Sequence, residues 1–253
     1  MGGDEHLDSV IRLRRKIAGG EEHLDSSTIL FKIIMEAQFS WNGLHHGWRE
    51  FLEGVMFVDN AVGGKKGLGG THYRNPINRT DGWSWPDLDV AYQELCISID
   101  EENVFRGYGA YFHLFVDYCY LGIYLPAEYP RIRDEANSID VVRFQGQTFE
   151  TDVFKKEILY PSYAAHQRTH RAVMEECLLY MPDEFTPFGR FIGTKARWKE
   201  TVRGYFDRYS TIYPNGPLAF TPERLEEFTK RAIDEFINVH PEIIEELQYL
   251  RRE

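Results

Sequence analysis

Residues 105–125 read FRGYGAYFHLFVDYCYLGIYL, and this stretch decides the fold class. Eight of its residues are Phe or Tyr, and they fall on nearly every side of a helix. A helix that is apolar all round lies in the interior of a protein, because no side of it gains from contact with water. The stretch therefore predicts a long buried helix.

Helical periodicity continues on both sides of this stretch. Apolar residues from Leu30 to Val55 follow alternating steps of four and three, which predicts one long helix from Asp25 to about Val58. Further helices are predicted over 88–99, 162–181 and 189–212, and from the start signal Thr221-Pro222-Glu223 onward. We therefore expect an all-α fold, a multi-helix bundle with long loops and room for one short β-hairpin within residues 141–154.

Size and composition favour a single domain. A chain of 253 residues with 43% apolar and 27% charged residues is globular, and single cores grow to roughly 250–300 residues. Residues 1–24 are expected to form a charged N-terminal arm, and residues 25–253 one helical domain. Residues 60–86 are rich in glycine and predict a long loop or a lid.

The charge balance excludes several classes of partner. The formal charge is −11, which disfavours binding to nucleic acid or to an anionic membrane. No stretch approaches the roughly 18 apolar residues of a membrane span, and the first residues lack the apolar centre of a signal peptide. We therefore expect a cytoplasmic protein, whose three widely spaced cysteines are reduced.

A pair of histidines, His166 and His170, is the most informative feature for chemistry. They lie one turn apart, on a stripe that continues through Val173, Cys177 and Tyr180, so both imidazoles are expected to face the interior. This spacing lets two imidazoles bind one metal ion, or lets one bind a heme iron. The alternative is that both are hydrogen-bonded core histidines.

The predicted first long helix carries a second group. His45 flanks the apolar stripe, which makes it the interior candidate for a catalytic residue, whereas His46 and Glu50 are expected to form a solvated surface pair. Glu36 lies on the opposite flank of the stripe, as a carboxylate ligand or as the rim of the core.

A third pair, His113 and Asp117, lies one turn apart in the aromatic helix. A buried carboxylate is costly unless a cation accompanies it, so Asp117 requires a partner. A charged His113 or a neighbouring arginine is the simplest partner, and a di-metal site is the alternative.

The glycine-rich loop carries basic residues in an acidic protein. Lys65, Lys66, His72 and Arg74 follow one another closely there, and glycines allow the backbone to approach an anion. Lys65 and Arg74 are the candidates for binding an anionic group of a small-molecule substrate. The alternative is a flexible, solvated connection, and the loop lacks the Gly-Lys-Ser/Thr ending of a phosphate-binding loop.

The segment His166-Gln167-Arg168-Thr169, on a helix that continues into Arg171-Ala172-Val173-Met174, resembles the heme-ligating tract of the tryptophan 2,3-dioxygenase superfamily of heme-dependent aromatic oxygenases. A looser similarity runs through His23, Asp25, Phe31, Ile33, Ile34, Gln38 and Trp41, and together the two cover about a tenth of the chain. The resemblance implies a helical homo-oligomer that binds heme b, with His166 as the ligand of the iron. Glu36 or Ala37 stands nearest the position of that family's distal histidine, so His45 would have to serve there.

Three functions follow from these features. The first is an iron-dependent oxidoreductase, a His-ligated heme oxygenase or hydroxylase, acting on a small aromatic or amino-acid-like substrate. The second is a non-heme enzyme with one or two ions of iron or another divalent metal bound by histidines and carboxylates in a helical bundle. The third is a non-enzymatic helical subunit of a larger assembly.

Overall fold

The computed structural model describes residues 46–60, 70–80, 82–136, 139–165, 188–189, 191 and 216–249. This part of the protein is mostly helical, as predicted. Its helices are α1 (His46–Asn60), α2 (Leu88–Tyr92), α3 (Val104–Tyr118), α4 (Leu125–Glu128), α5 (Thr151–Phe154), α6 (Pro222–Val239) and α7 (Pro241–Tyr249). Its strands are β1 (Arg74–Thr80), β2 (Trp83–Pro86), β3 (Arg131–Asp134), β4 (Ile139–Phe144) and β5 (Gln147–Glu150).

Helix α3 lies at the centre of the described core. Every residue from Arg106 to Asp117 is buried, which confirms the buried aromatic helix. The helix continues through a π-helical turn, Cys119–Tyr124, into α4. It contacts α1, α2, the helical turn Gln93–Ile97, α6 and β2, so several different elements cover its faces.

Glycines bring α1 and α3 into backbone contact. A Cβ added at Gly54 would overlap the carbonyl of Arg106, and one added at Gly109 would overlap the carbonyl of Phe51. A side chain at either position would force the two helices apart. Neither contact was predicted from the sequence.

The two sheets correct the prediction of an all-α fold. Strands β4 and β5 form the predicted hairpin, with positive φ angles of 48° and 79° at Gln145 and Gly146, as a tight two-residue turn requires. Strand β3 pairs antiparallel with β4 and extends the hairpin to three strands. A second antiparallel pair, β1–β2, lies within residues 60–86, where a loop or a lid was predicted.

Each of the two C-terminal helices begins at a proline. The Thr221 hydroxyl accepts a hydrogen bond from the Arg224 amide at 3.3 Å and Pro222 follows it, which confirms the predicted start of α6. This helix ends at Val239, and a new helix, α7, begins at Pro241. Proline lacks the amide hydrogen and clashes with the preceding turn, so the single last helix that was expected is broken at His240.

Candidate metal centre

Helix α3 places His113 and Asp117 one turn apart. Both side chains are almost fully buried, with 1% and 3% of their surface exposed. The chain just before β1 brings a third side chain, His72, to the same place. One ligand atom from each of the three residues lies within 4.8 Å of the other two.

The ring of His113 is oriented by helix α1. Its Nδ1 lies 2.9 Å from the backbone carbonyl oxygen of Val55. A carbonyl oxygen can only accept, so Nδ1 carries the hydrogen and donates it, and in the neutral ring the lone pair lies on Nε2. A metal-bound histidine usually has this arrangement, in which the second nitrogen donates to a carbonyl or a carboxylate.

The turn over 70–73 carries His72. The Tyr73 amide donates to the Gly70 carbonyl at 3.3 Å, and Tyr73 has a φ of 47°, in the left-handed region that a bulky residue rarely adopts. The Tyr73 side chain is fully buried, and burying its ring offsets the strain of that backbone conformation. The turn is therefore fixed by the core beneath it.

Two contacts hold the His72 ring itself. Its Nδ1 lies 3.1 Å from the hydroxyl oxygen of Thr71, and its ring meets the ring of His113 edge to face with centroids 5.8 Å apart. His72 is half-buried, whereas the other two members of the cluster are buried. The side of the cluster at His72 is therefore the one closest to solvent.

Two imidazoles and one carboxylate form a donor set that suits a transition-metal ion. Zinc and iron bind such donors at about 2.0–2.2 Å, which places neighbouring ligand atoms roughly 3–4 Å apart. Because the ligand atoms of the cluster lie within 4.8 Å of one another, the widest separation would shorten by about 1–2 Å around an ion. Three protein ligands leave open coordination positions, as in catalytic sites.

The α1–α3 interface contains a second polar cluster, which was not predicted from the sequence. Glu50 and Glu53 are buried, and they bind the buried Arg106 with N–O distances of 2.7 and 2.9 Å. The expected solvated pair of His46 and Glu50 is therefore wrong as regards Glu50. Apolar periodicity could not reveal this pairing, because Arg106 lies more than fifty positions further along the chain.

The structure describes only some of the predicted site residues. Arg74 is the first residue of β1 and is half-buried, and among the described residues its Nε has no hydrogen-bond partner. Other predicted residues lie outside the part of the chain that the structure describes, and they stay predictions: Glu36, His45, Lys65, Lys66, His166, His170 and Cys177.

Sequence reasoning identified two members of the cluster and assigned the third elsewhere. The spacing of His113 and Asp117 indicated a pair that requires a partner. His72 was assigned to a basic loop for an anion, and no spacing rule connects it to a helix that begins 32 residues later. The sequence predicted a charged His113 or an arginine as the partner of Asp117. It did not predict that His72 would lie beside them.

No protein-family model, no curated protein and no solved structure matches the chain. The resemblance to the tryptophan 2,3-dioxygenase superfamily therefore stays a prediction. None of the described helices is long and apolar enough to span a bilayer.

Proposed function

We propose that the protein binds one divalent transition-metal ion through His72, His113 and Asp117 and acts as a non-heme metal-dependent oxidoreductase. The observation that carries the proposal is the convergence of these three side chains from two separate segments, with His113 already oriented by the Val55 carbonyl. The proposal joins the second predicted function, a non-heme metal enzyme, to the redox activity of the first, and it uses a different set of ligands.

The donor set supports iron(II) as the resident metal. Two histidines and one carboxylate with open positions are the ligands of non-heme iron oxygenases, and the same set also binds zinc. The bound iron would supply the redox chemistry. The residues of this chain would hold the ion, keep Nε2 of His113 unprotonated through the bond of Nδ1 to Val55, and exclude water on the buried side.

Arg74 supports a small anionic substrate. It follows His72 by two residues, and a guanidinium binds a carboxylate through two parallel hydrogen bonds. A substrate that carries a carboxylate, such as the predicted amino-acid-like compound, would be held by Arg74 while its reacting part approaches from the side of His72. A cytoplasmic location and a homo-oligomeric state are further parts of this proposal, and the three-ligand cluster does not depend on them.

Metal analysis of the purified full-length protein tests the proposal. After growth with iron, zinc and manganese, we expect about one equivalent of metal in the wild type and a loss of most of it in Asp117→Asn and His72→Ala. Cobalt(II) added to the metal-free protein should give a visible absorption band in the wild type that neither variant shows. His240→Gln, which changes another buried histidine, is the matched control and should bind metal as the wild type does.

Three outcomes would overturn the proposal. Wild type without metal and without a cobalt band would favour the non-enzymatic helical subunit. Equal metal content in the wild type, Asp117→Asn and His72→Ala would place the metal elsewhere. A heme absorption band that His166→Ala removes would favour the heme oxygenase instead.

A further inference from the structure

A histidine at the α6–α7 junction belongs to a second buried network, separate from the metal centre. His240 is 8% exposed, and it lies between the last residue of α6 and the first residue of α7. Aromatic side chains from three helices surround its ring, with centroid distances of 5.0–5.7 Å: Tyr92, Tyr111, Phe115 and Phe236. The imidazole is therefore enclosed by groups that solvate a positive charge less well than water.

The hydrogen bonds of His240 are satisfied when the ring is neutral. Its Nδ1 lies 3.1 Å from Oε1 of Glu242, and because a carboxylate only accepts, Nδ1 carries a hydrogen. Its Nε2 lies 2.9 Å from the hydroxyl oxygen of Tyr111. In the neutral ring Nε2 is an acceptor, so Tyr111 donates to it.

The same network attaches α7 to the rest of the protein. Tyr92 in α2 donates a hydrogen bond to Oε1 of Glu242 at 2.9 Å. Burial and the nearby Glu246 of α7 raise the pKa of Tyr108 in α3. The apolar side of α7 is buried in the core through Ile243, Ile244 and Leu247. His240 and Glu242 therefore lie at the point where α7 is held against α2 and α3.

We propose that His240 acts as an acid-sensitive latch, whose protonation weakens the docking of α7 against α2 and α3. A protonated ring carries a hydrogen on both nitrogens, so Nε2 would face the Tyr111 hydroxyl as a second donor. Tyr111 is 3% exposed and would have to rotate its own hydrogen away from Nε2. Releasing α7 removes this conflict and exposes the charged ring to water.

The charged groups around His240 act in opposite directions. Burial lowers the pKa of His240, and the hydrogen bond and negative charge of Glu242 raise it, with burial the stronger effect. Burial also raises the pKa of Glu242, but its own amide, Tyr92 and His240 donate to it, and its pKa is lowered overall. Glu242 therefore remains ionised while His240 titrates.

The tyrosine and cysteine side chains that face the network have raised pKa values. Burial, followed by Glu242, raises the pKa of Tyr92 to about 12, and burial likewise raises the pKa values of Tyr111, Tyr108 and Cys96. Asp89 in α2 and Glu246 in α7 contribute negative charge at longer range, and α6 presents the uncharged Phe236 to the ring.

The direction of the pH effect follows from the lowered pKa. When α7 is released, His240 regains its ordinary value near 6.5. Above pH 6.5 the ring is neutral whether α7 is docked or released, so docking is fully stable. Below pH 6.5 the released form takes up the proton first, so docking weakens as the pH falls towards the pKa of the docked form.

Hydrogen–deuterium exchange of the full-length protein, corrected for the intrinsic pH dependence of exchange, tests the latch. Between about pH 8 and about pH 5, the range in which histidine changes charge, we expect exchange in residues 241–249 to rise several-fold in the wild type. The peptides of β4 and β5 serve as the internal reference and should not change in parallel.

His240→Gln is the decisive variant because glutamine has no charge to gain over this range. Exchange in its residues 241–249 should not depend on pH after correction. If the variant shows the same rise as the wild type, or if the wild type shows none, the latch is wrong. An NMR titration of the His240 ring in the wild type gives an answer that does not depend on the folding of the variant, since a pKa at or above 6.5 would also overturn the proposal.

Discussion

Two polar clusters on α3 lie next to α1 and differ in the side chains that accompany their carboxylates. One is Arg106 with Glu50 and Glu53, and the other is the candidate metal centre at His72, His113 and Asp117. Seven residues separate Arg106 from His113, or roughly 10 Å along a helix. Both clusters adjoin Gly54, because Glu53 precedes it and Val55, whose carbonyl binds His113, follows it.

The difference shows which of the two is suited to function. Arg106 makes hydrogen bonds in fixed directions to Glu53 and Asn103, so a side chain of the protein itself holds the first cluster together. The second cluster places two imidazoles beside a carboxylate, and neutral imidazoles are common ligands of metal ions. We therefore interpret the first cluster as structural and the second as the functional one.

Replacing Arg106 should give the largest effect and tests this division. Arg106→Met removes a cation that two buried carboxylates bind, and we expect the free energy of unfolding to fall by about 3–5 kcal/mol in urea titrations. Metal affinity in the folded variant should stay within about twofold of the wild type, because sites this far apart act nearly independently.

Arg224→Met provides the matched control for that variant. Arg224 also binds two carboxylates, those of Glu128 and Glu227, but all three side chains are at least 38% exposed. Losing these contacts should cost about 1 kcal/mol or less. An equal loss of stability in both variants would contradict the structural role of the buried cluster.

Changing the glycine contact should affect both clusters together. In Gly54→Ala the new methyl group meets the Arg106 carbonyl, so α1 and α3 must separate, at a cost of about 3 kcal/mol. The Val55 carbonyl moves with α1, so metal affinity should fall as well. Urea titration and cobalt titration measure the two effects.

Gly216→Ala is the control for Gly54→Ala, because a Cβ at Gly216 would meet no atom within 4 Å. It should leave both stability and metal binding close to the wild type. If Gly54→Ala lowers stability and leaves metal affinity unchanged, then the position of the Val55 carbonyl does not control His113.

The elements that could be predicted from sequence are those that local patterns specify. The aromatic run of α3, the Thr221-Pro222 start of α6 and the alternation of β4 and β5 each act within a few neighbouring residues. The β1–β2 pair was missed because glycine content over residues 60–86 was taken to indicate a loop. Gly82, with a φ of 78°, serves the turn between these two strands instead.

The candidate site could be predicted only in part, for a related reason. The spacing of His113 and Asp117 is local and indicated a pair. The positions of His72 beside them and of Arg106 beside Glu50 result from how separate segments pack, which no periodicity in one segment encodes. The burial of Glu50 shows that a helix can present charged residues to a neighbouring helix when that helix supplies the countercharge.

The smallest expected effect concerns the residue that supports His72. The Thr71 hydroxyl lies 3.1 Å from Nδ1 of His72, and Thr71 is 5% exposed. Thr71→Ala removes this contact and leaves the three ligands in place, so we expect metal affinity to fall about tenfold, the lower end of the usual effect for such supporting residues. Thr71→Ser keeps the hydroxyl and should bind metal nearly as the wild type does. Cobalt titrations of the two variants make the comparison, and equal affinities in Thr71→Ala and the wild type would mean that Tyr73 and its turn position His72 without help from Thr71.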